Sequence, residues 1–372
     1  MTPPRLPLSR QPLRQLQDRI ATGLITAGGI GVLMAILAIG VFLLWETLPL
    51  LALGDTLAVS RLAPLAWGTL KAAIAAMLFA TPIALGAAIY SALFMSARLR
   101  SRIKPTLELM EAIPGVVVGF IAGLVLAPWI EQHLASALLL IVWLPFSAIL
   151  AGALWHIAAS RLRPRLPHTW AGLWLIPWLA CMVVVALWLA PVIEQQWLGG
   201  DLRRFLDLHY GMDYVTRNTL IVGVAMGFAI IPSIYSLADD ALADVPPALM
   251  EGAQALGASR WQALWKVALP TAGPGIFSAV MIGAGRAVGE TMIVLMASSN
   301  TALFSASPFE GLRSFSAAIA IELPEASPGG LTYHLLILAA LVLFIFTFLV
   351  NTLAEVVRHR LRRRYHRLGV RQ

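Results

Sequence analysis

The chain has 372 residues, 59% hydrophobic and only 12% charged, with a formal net charge of +8 and a mean hydropathy of +0.80. Soluble domains carry about 25% charged residues, so this composition excludes an ordinary soluble enzyme or binding module. The seven histidines form no H-E-x-x-H pattern and Cys181 stands alone, which argues against a metal site, an intramembrane hydrolase or an intrachain disulfide.

In chain order, the first 19 residues are polar and rich in Pro and Arg. They are expected to lie on the membrane surface. Apolar runs at roughly 20–45, 65–95, 107–130, 135–157, 170–193, 217–238, 274–298 and 331–354 predict eight transmembrane helices, since a span needs about 20 apolar residues. Runs this long exclude barrel strands, so the fold class is an all-α polytopic membrane bundle. The first run is too long for a signal peptide and no small-residue cleavage site follows it, so it reads as an uncleaved span. Glu108 and Glu111 fall near the start of the third run and read as helix-start carboxylates. Residues 158–169 form a short basic loop, 194–216 a loop long enough for a surface helix, and 299–330 a second outer stretch.

Alternation of the spans places Arg98, Arg100, Arg102, Lys104, Arg161, Arg163, Arg165, Arg260, Lys266 and a seven-Arg tail on the same side as the N-terminal arginines. That is the positive-inside signal, and it predicts cytoplasmic N- and C-termini. The basic tail reads as an anchor against membrane lipid, with no role in nucleic-acid binding. Trp45, Trp67, Trp129, Trp170, Trp197 and Tyr333 fall near span ends, as interfacial aromatics do.

The loop at 239–273 is polar and amphipathic. Asp244 with Pro246 and Pro247 predicts a helix start. Leu249, Ala253 and Leu256 share one helical face, and Gly257 closes the helix as a left-handed cap. Ser259 and Gln262 form a capping box for a second helix over 260–268, which Leu269-Pro270 would end. Farther on, GAGRAVGETM places Arg286 within the seventh span, where a charge costs about 2.5–3.5 kcal/mol and marks function. Glu290, four residues on, shares its helix face and is expected to pair with it. Gly283, Gly285 and Gly289 leave room for close approach. Arg286 offers a planar fork suited to a tetrahedral oxyanion. A purely structural ion pair is the competing reading. Lys71, about two turns inside the second span, is a further candidate for solute contact or for snorkelling to the interface.

Two motifs carry a resemblance. Glu251, Gly252, Ala253, Gly257, Leu269 and Pro270 resemble the EAA loop of ABC-importer permeases, with Gly252 where Ala is usual and Val267 where Ile is usual. GRAVGETM after that loop, with WGTL at 67–70, MEAIPGVVVGFIAGLVLAP at 110–128 and NTLAEVVRHRLRRRY at 351–365, is similar to the membrane subunits of phosphate-specific (Pst) ABC importers, of the PstC type. The resemblance implies a type I (MetI-like) importer fold. It implies a cytoplasmic segment at 1–19, a permease domain at 20–354 with its core at about 65–354, a coupling loop at 239–273 and a basic tail at 355–372. It implies a six-span core with an inserted pair at 135–193. Long members of the group carry a large domain between the first two spans, where this chain has a short connection near 46–64.

The same resemblance implies alternating access for inorganic phosphate in a bacterial inner membrane, with Arg286 and Glu290 in the pathway. Partners would be ABC ATPase subunits, a second homologous permease and an extracytoplasmic phosphate-binding protein. No G-x-x-x-x-G-K-[ST] loop occurs here, so ATP hydrolysis is expected on another chain. The chain is expected to bind no cofactor itself, with ATP and Mg2+ on the partner. A sulfate or molybdate permease, or a secondary transporter or membrane scaffold needing no ATPase, remain alternatives.

Overall fold

A computed structural model describes residues 11–52, 56–162, 170–197 and 199–369. The first ten residues and 163–169, with Arg5, Arg10, Arg163 and Arg165, lie outside the described residues. All regular structure among the described residues is helical. The long helices are α1 (Gln11–Ala52), α2 (Thr56–Leu93), then, after the shorter α3 (Ala97–Glu111), α4 (Gly115–Ile121) and α5 (Ala127–Gln132) joined by a wide turn at Ala122–Leu126, followed by α6 (Leu134–Leu162) and α7 (Trp170–Trp197). A surface helix α8 (Leu202–Tyr210) leads to α9 (Thr219–Ala243), and α10 (Pro247–Ala255) and α11 (Arg260–Ala263) lead through a second wide turn into α12 (Leu269–Gly289). The chain ends with α13 (Met292–Ala297), α14 (Phe315–Glu322) and α15 (Leu331–Gly369). Eight of the resulting helical stretches are long and apolar enough to cross a membrane, the number predicted from sequence.

Three boundaries differ from expectation. The third span begins at Gly115 rather than at 107. Pro114 lacks an N–H and disfavours helix at Ile113, so residues 97–111 close off as the separate helix α3. The seventh span is continuous from Arg260 to Gly289, so Leu269-Pro270 does not end a short helix. Pro270 and Pro274 fall near the start of α12, and the wide turn at Leu264–Ala268 accommodates the change. The same span then breaks at Glu290, which is extended (φ −68°, ψ 122°), before α13 resumes.

The core is built on α9, which packs against α2, α12 and α3. Ala72, Ala76, Ala80, Ala84 and Ala88 of α2 recur every four residues and are all nearly fully buried. Opposite them, a Cβ on Gly223 of α9 would stand 2.9 Å from the Cβ of Ala75. Small residues on both sides let the two backbones approach, and dispersion between them replaces lipid contact. The pair α6 and α7 packs mainly on itself and joins the rest through α5 and α8. Helix α1 packs on α15 and leaves Leu24, Ile25, Leu33 and Leu37 exposed, as a lipid-facing helix does.

The outer stretch is pinned to the first turn of α9. Val215, Thr219 and Leu220 donate backbone hydrogen bonds to the carbonyls of Phe309, Glu310 and Pro308. Phe315 N–H donates to Thr69 Oγ1 of α2 at 3.0 Å. This satisfies irregular backbone beside the helices, which bare lipid could not do.

Candidate functional site

Helix α3 lies antiparallel along α9, and four of its residues make a polar ladder. Arg100, Lys104, Glu108 and Glu111 recur at the four, four and three spacing of one helix face. Arg100 Nη2 donates to Asp239 Oδ2 at 2.7 Å, and Lys104 pairs with Asp240 while lying 3.4 Å from Asp239. One turn farther along, Glu108 accepts from Ser236 Oγ at 3.3 Å, and Glu111 Oε1 accepts from Ser233 Oγ at 2.7 Å. Asp239 is fully buried and also accepts from Ser91 Oγ of α2, which in turn accepts from Tyr235 OH. Burial alone would lower the Lys104 ammonium, but Asp240 and then Asp239 outweigh it and hold it above its ordinary value of 10.5. A raised lysine gives its full contribution below that ordinary value and loses it only as pH rises past the folded one.

The ladder ends on Arg286 of α12. Arg286 Nη1 donates to Glu111 Oε1 at 2.6 Å and to Ser233 Oγ at 2.5 Å. Ser233 lies about ten residues from the end of α9. At 1.5 Å per residue that is about 15 Å, which places the cluster inside the length of the α9 span rather than at its end.

The expected Arg286–Glu290 pair is therefore corrected: the counter-ion bonded to Arg286 is Glu111. Glu290 sits where α12 breaks, so the two no longer share a continuous helix face. Its carboxylate accepts from the Ile293 N–H at the start of α13 (3.3 Å), while its carbonyl accepts from Ser316 Oγ. Both groups serve the break. Glu290 and Arg286 nevertheless line one cavity of about 140 Å³, together with Glu111, Gly115, Phe228 and Ile293. That is room for several waters or one small oxyanion. Glu108 and Glu111 likewise depart from the helix-start expectation, since they close α3 rather than open a span.

Lys71 is not part of this cluster. It is half-buried in α2, and the carboxylate acting on it is Glu310 of the outer stretch. The polar loop between α9 and α12 forms much as its spacing predicts. Gly257 takes the left-handed φ of +89°, and Ser259 and Gln262 form the reciprocal capping box. Asp244 does not start the helix, however. It ends α9, and Pro246 holds the N-terminal position of α10. No residue of α10 is buried; Leu249 and, just past the helix, Leu256 are exposed, and Ala253 is half-buried, so much of this apolar face is presented outward. Glu251 and Gly252 are exposed beside Ala253, while Leu269 and Pro270 are half-buried at the head of α12.

Glu111 and Ser233 are the site residues that sequence reasoning missed. The signal was present in the spacing of Arg100, Lys104, Glu108 and Glu111, which marks one stripe of a helix rather than a basic loop running into a span.

Comparison with known proteins agrees with this architecture. Residues 166–366, more than half of the chain, match the family model described as binding-protein-dependent transport system inner membrane component. The phosphate transport system permease protein PstC of Pasteurella multocida is 26% identical over 290 residues, covering 78% of this chain and 72% of the relative. PstC 1 of Mycobacterium tuberculosis is 28% identical over 297 residues, covering 78% and 70%. The probable ABC transporter permease YqgH of Bacillus subtilis is 36% identical over 135 residues, covering 36% and 44%. With its eight spans and this match, the chain is a multi-pass membrane protein that belongs to the family of inner membrane components of binding-protein-dependent transport systems.

Proposed function

We propose that this chain is the permease subunit of an ATP-driven importer for inorganic phosphate, of the PstC kind, working by alternating access. The observation that carries the reading is Arg286, a guanidinium inside the length of the spans that faces a small cavity shared with two carboxylates. A planar fork of donors suits a tetrahedral oxyanion, and desolvation strengthens each bond it makes. Glu290 would line the anion's path beside it, and Lys71 would meet the anion nearer the outer end. The relatives named for phosphate transport support the choice of anion.

Energy would come from separate ABC ATPase subunits, which would hold the ATP and Mg2+, with no cofactor on this chain. Glu251, Gly252, Ala253, Gly257, Leu269 and Pro270 would form the contact with them. The exposed α10, closed by Gly257 and joined through a capped turn to the helix that bears Arg286, is suited to pass a push from an ATPase to the anion site. Its position beside the basic residues would place the loop and both termini in the cytoplasm. A second homologous permease would complete the pathway, and an extracytoplasmic binding protein would deliver phosphate. The core at about 65–354, the inserted pair at 135–193 and the basic tail against lipid complete the reading.

The test is ATP-dependent uptake of radiolabelled phosphate by proteoliposomes containing the assembled complex. Arg286→Gln is expected to reduce uptake at least 100-fold, an effect on the scale of about 2.7 kcal/mol, while assembly persists. Full uptake by that variant would reduce Arg286 to a packing residue. Uptake of sulfate or molybdate in preference to phosphate would reassign the substrate.

A further inference from the structure

Arg286 is not an empty anion receptor. Its guanidinium and the Ser233 hydroxyl converge on a single oxygen of Glu111, at 2.6 Å and 2.7 Å. Two donors closing on one carboxylate oxygen is the arrangement that an oxygen of a tetrahedral oxyanion would meet. Glu290, the other carboxylate at the cavity, is held by the backbone N–H of Ile293. Neutralisation of Arg286 by direct contact therefore falls to Glu111.

We propose that Glu111 is the resting occupant of the anion seat and that the transported anion exchanges with it on Arg286 and Ser233. This inference rests on the phosphate-pathway reading and adds to it a gating residue and a second donor. Exchange has a physical advantage. An arginine inside a span without a counter-ion is costly, and a carboxylate that returns as the anion leaves keeps the guanidinium paired at both ends of the cycle. It also sets a limit on affinity. A receptor competent for only a fraction of the time binds more weakly by that fraction, so Glu111 would keep the seat from holding phosphate too tightly to release it.

The position of Glu111 links this exchange to the basic end of the protein. It is the last residue of α3, and α3 is tied to α9 near its other end by Arg100, Lys104, Asp239 and Asp240. Between Glu111 and Gly115 the chain is the Ala112–Pro114 turn, the point where α3 can swing relative to the span that follows. Displacing Glu111 from Arg286 would therefore free this end of α3 while the ladder holds the other. Anion occupancy would then be reported along α3 toward the end where α10 lies. Glu111 is 44% exposed in its side chain and Arg286 35%, so the seat opens to the side of this chain and the exchange needs no unfolding of the core.

The experiment measures equilibrium binding of radiolabelled inorganic phosphate to the detergent-purified complex, without the external binding protein, alongside uptake in proteoliposomes. Glu111→Gln keeps the size and an accepting oxygen but removes the charge. It is expected to lower the Kd for phosphate about tenfold, the gain expected if Glu111 holds the seat nine-tenths of the time, and to slow uptake turnover. Ser233→Ala is expected to weaken phosphate binding. An unchanged or weaker Kd in Glu111→Gln overturns the inference. Because the loss of a nearby negative charge favours an anion by itself, Glu111→Asp, which keeps the charge and draws the carboxylate back by one methylene, is measured beside it and must give a smaller tightening in the same direction. No tightening there also overturns the inference. Arg286→Gln separates the two levels. If it still takes up phosphate, the pathway reading itself fails. If it loses uptake while Glu111→Gln leaves the Kd unchanged, only the exchange role of Glu111 fails.

Discussion

The spans Thr219–Ala243 and Leu175–Trp197 are similarly apolar, with mean hydropathies of 2.1 and 2.3, yet 61% of an 18-residue apolar stretch in the first is buried within the chain against 11% of the corresponding stretch in the second. Hydropathy decides that both leave water. It does not decide which neighbours they choose, because lipid is as apolar as leucine. The choice is made by small and polar residues. The α9 span carries Gly223 and Gly227, where added Cβ atoms would meet Ala75 and Phe79 of α2, and Ser233, Ser236, Asp239 and Asp240, which bind α3. The α7 span turns Val184 and Trp188 outward instead. The centre of this protein is held by close approach and a ladder of hydrogen bonds, whereas its edge relies mostly on bulk, with Trp178 Nε1 of α7 donating to the Ser147 carbonyl of α6 at 3.0 Å.

Substitutions can break that contrast, and the largest stability effect is expected at Asp239. Asp239→Asn leaves Arg100 without its buried counter-ion and weakens the hold on Lys104. Removing one partner of a fully buried pair costs about 3–5 kcal/mol; Arg100 keeps 28% of its side chain exposed, so a cost at or below the lower end of that range is expected, and thermal unfolding in detergent should move downward. An unchanged melt would mean that α3 is held by something other than the ladder. The contrast sharpens with a matched pair of bulk changes. Gly223→Leu forces a side chain into the space occupied by Ala75 and should cost about 1–3 kcal/mol. Val184→Leu on α7 should stay within about 0.5 kcal/mol. Equal effects in the same melting assay would mean that the two spans do not differ in the way their packing indicates.

Much of the fold was legible from the chain. The eight apolar runs gave the spans, and Gly257 with Ser259 and Gln262 gave the turn after α10, because a positive φ and a capping box are local chemistry. What was not legible depended on tertiary partners. The expectation for Arg286 chose Glu290 because helical spacing is the only neighbour relation a sequence displays directly. Nothing within 283–296 announces that the helix breaks at Glu290, since the groups freed there are taken up by Ile293 and by the distant Ser316. The last five residues of α3 read as part of the following span because Leu107, Leu109 and Met110 lie next to its apolar run, although Pro114 marks the boundary. In the same way, Pro270 looked like a stop, yet α11 and α12 join through a wide turn that spacing alone does not reveal.

The central claim is that this chain is a gate driven by a separate motor. Its most direct test is phosphate uptake by proteoliposomes holding the purified permease subunits, with the external binding protein supplied, compared with and without the ABC ATPase and ATP. The account predicts uptake only when both the ATPase and ATP are present. Uptake by the permease subunits alone, driven by an ion gradient, would contradict it.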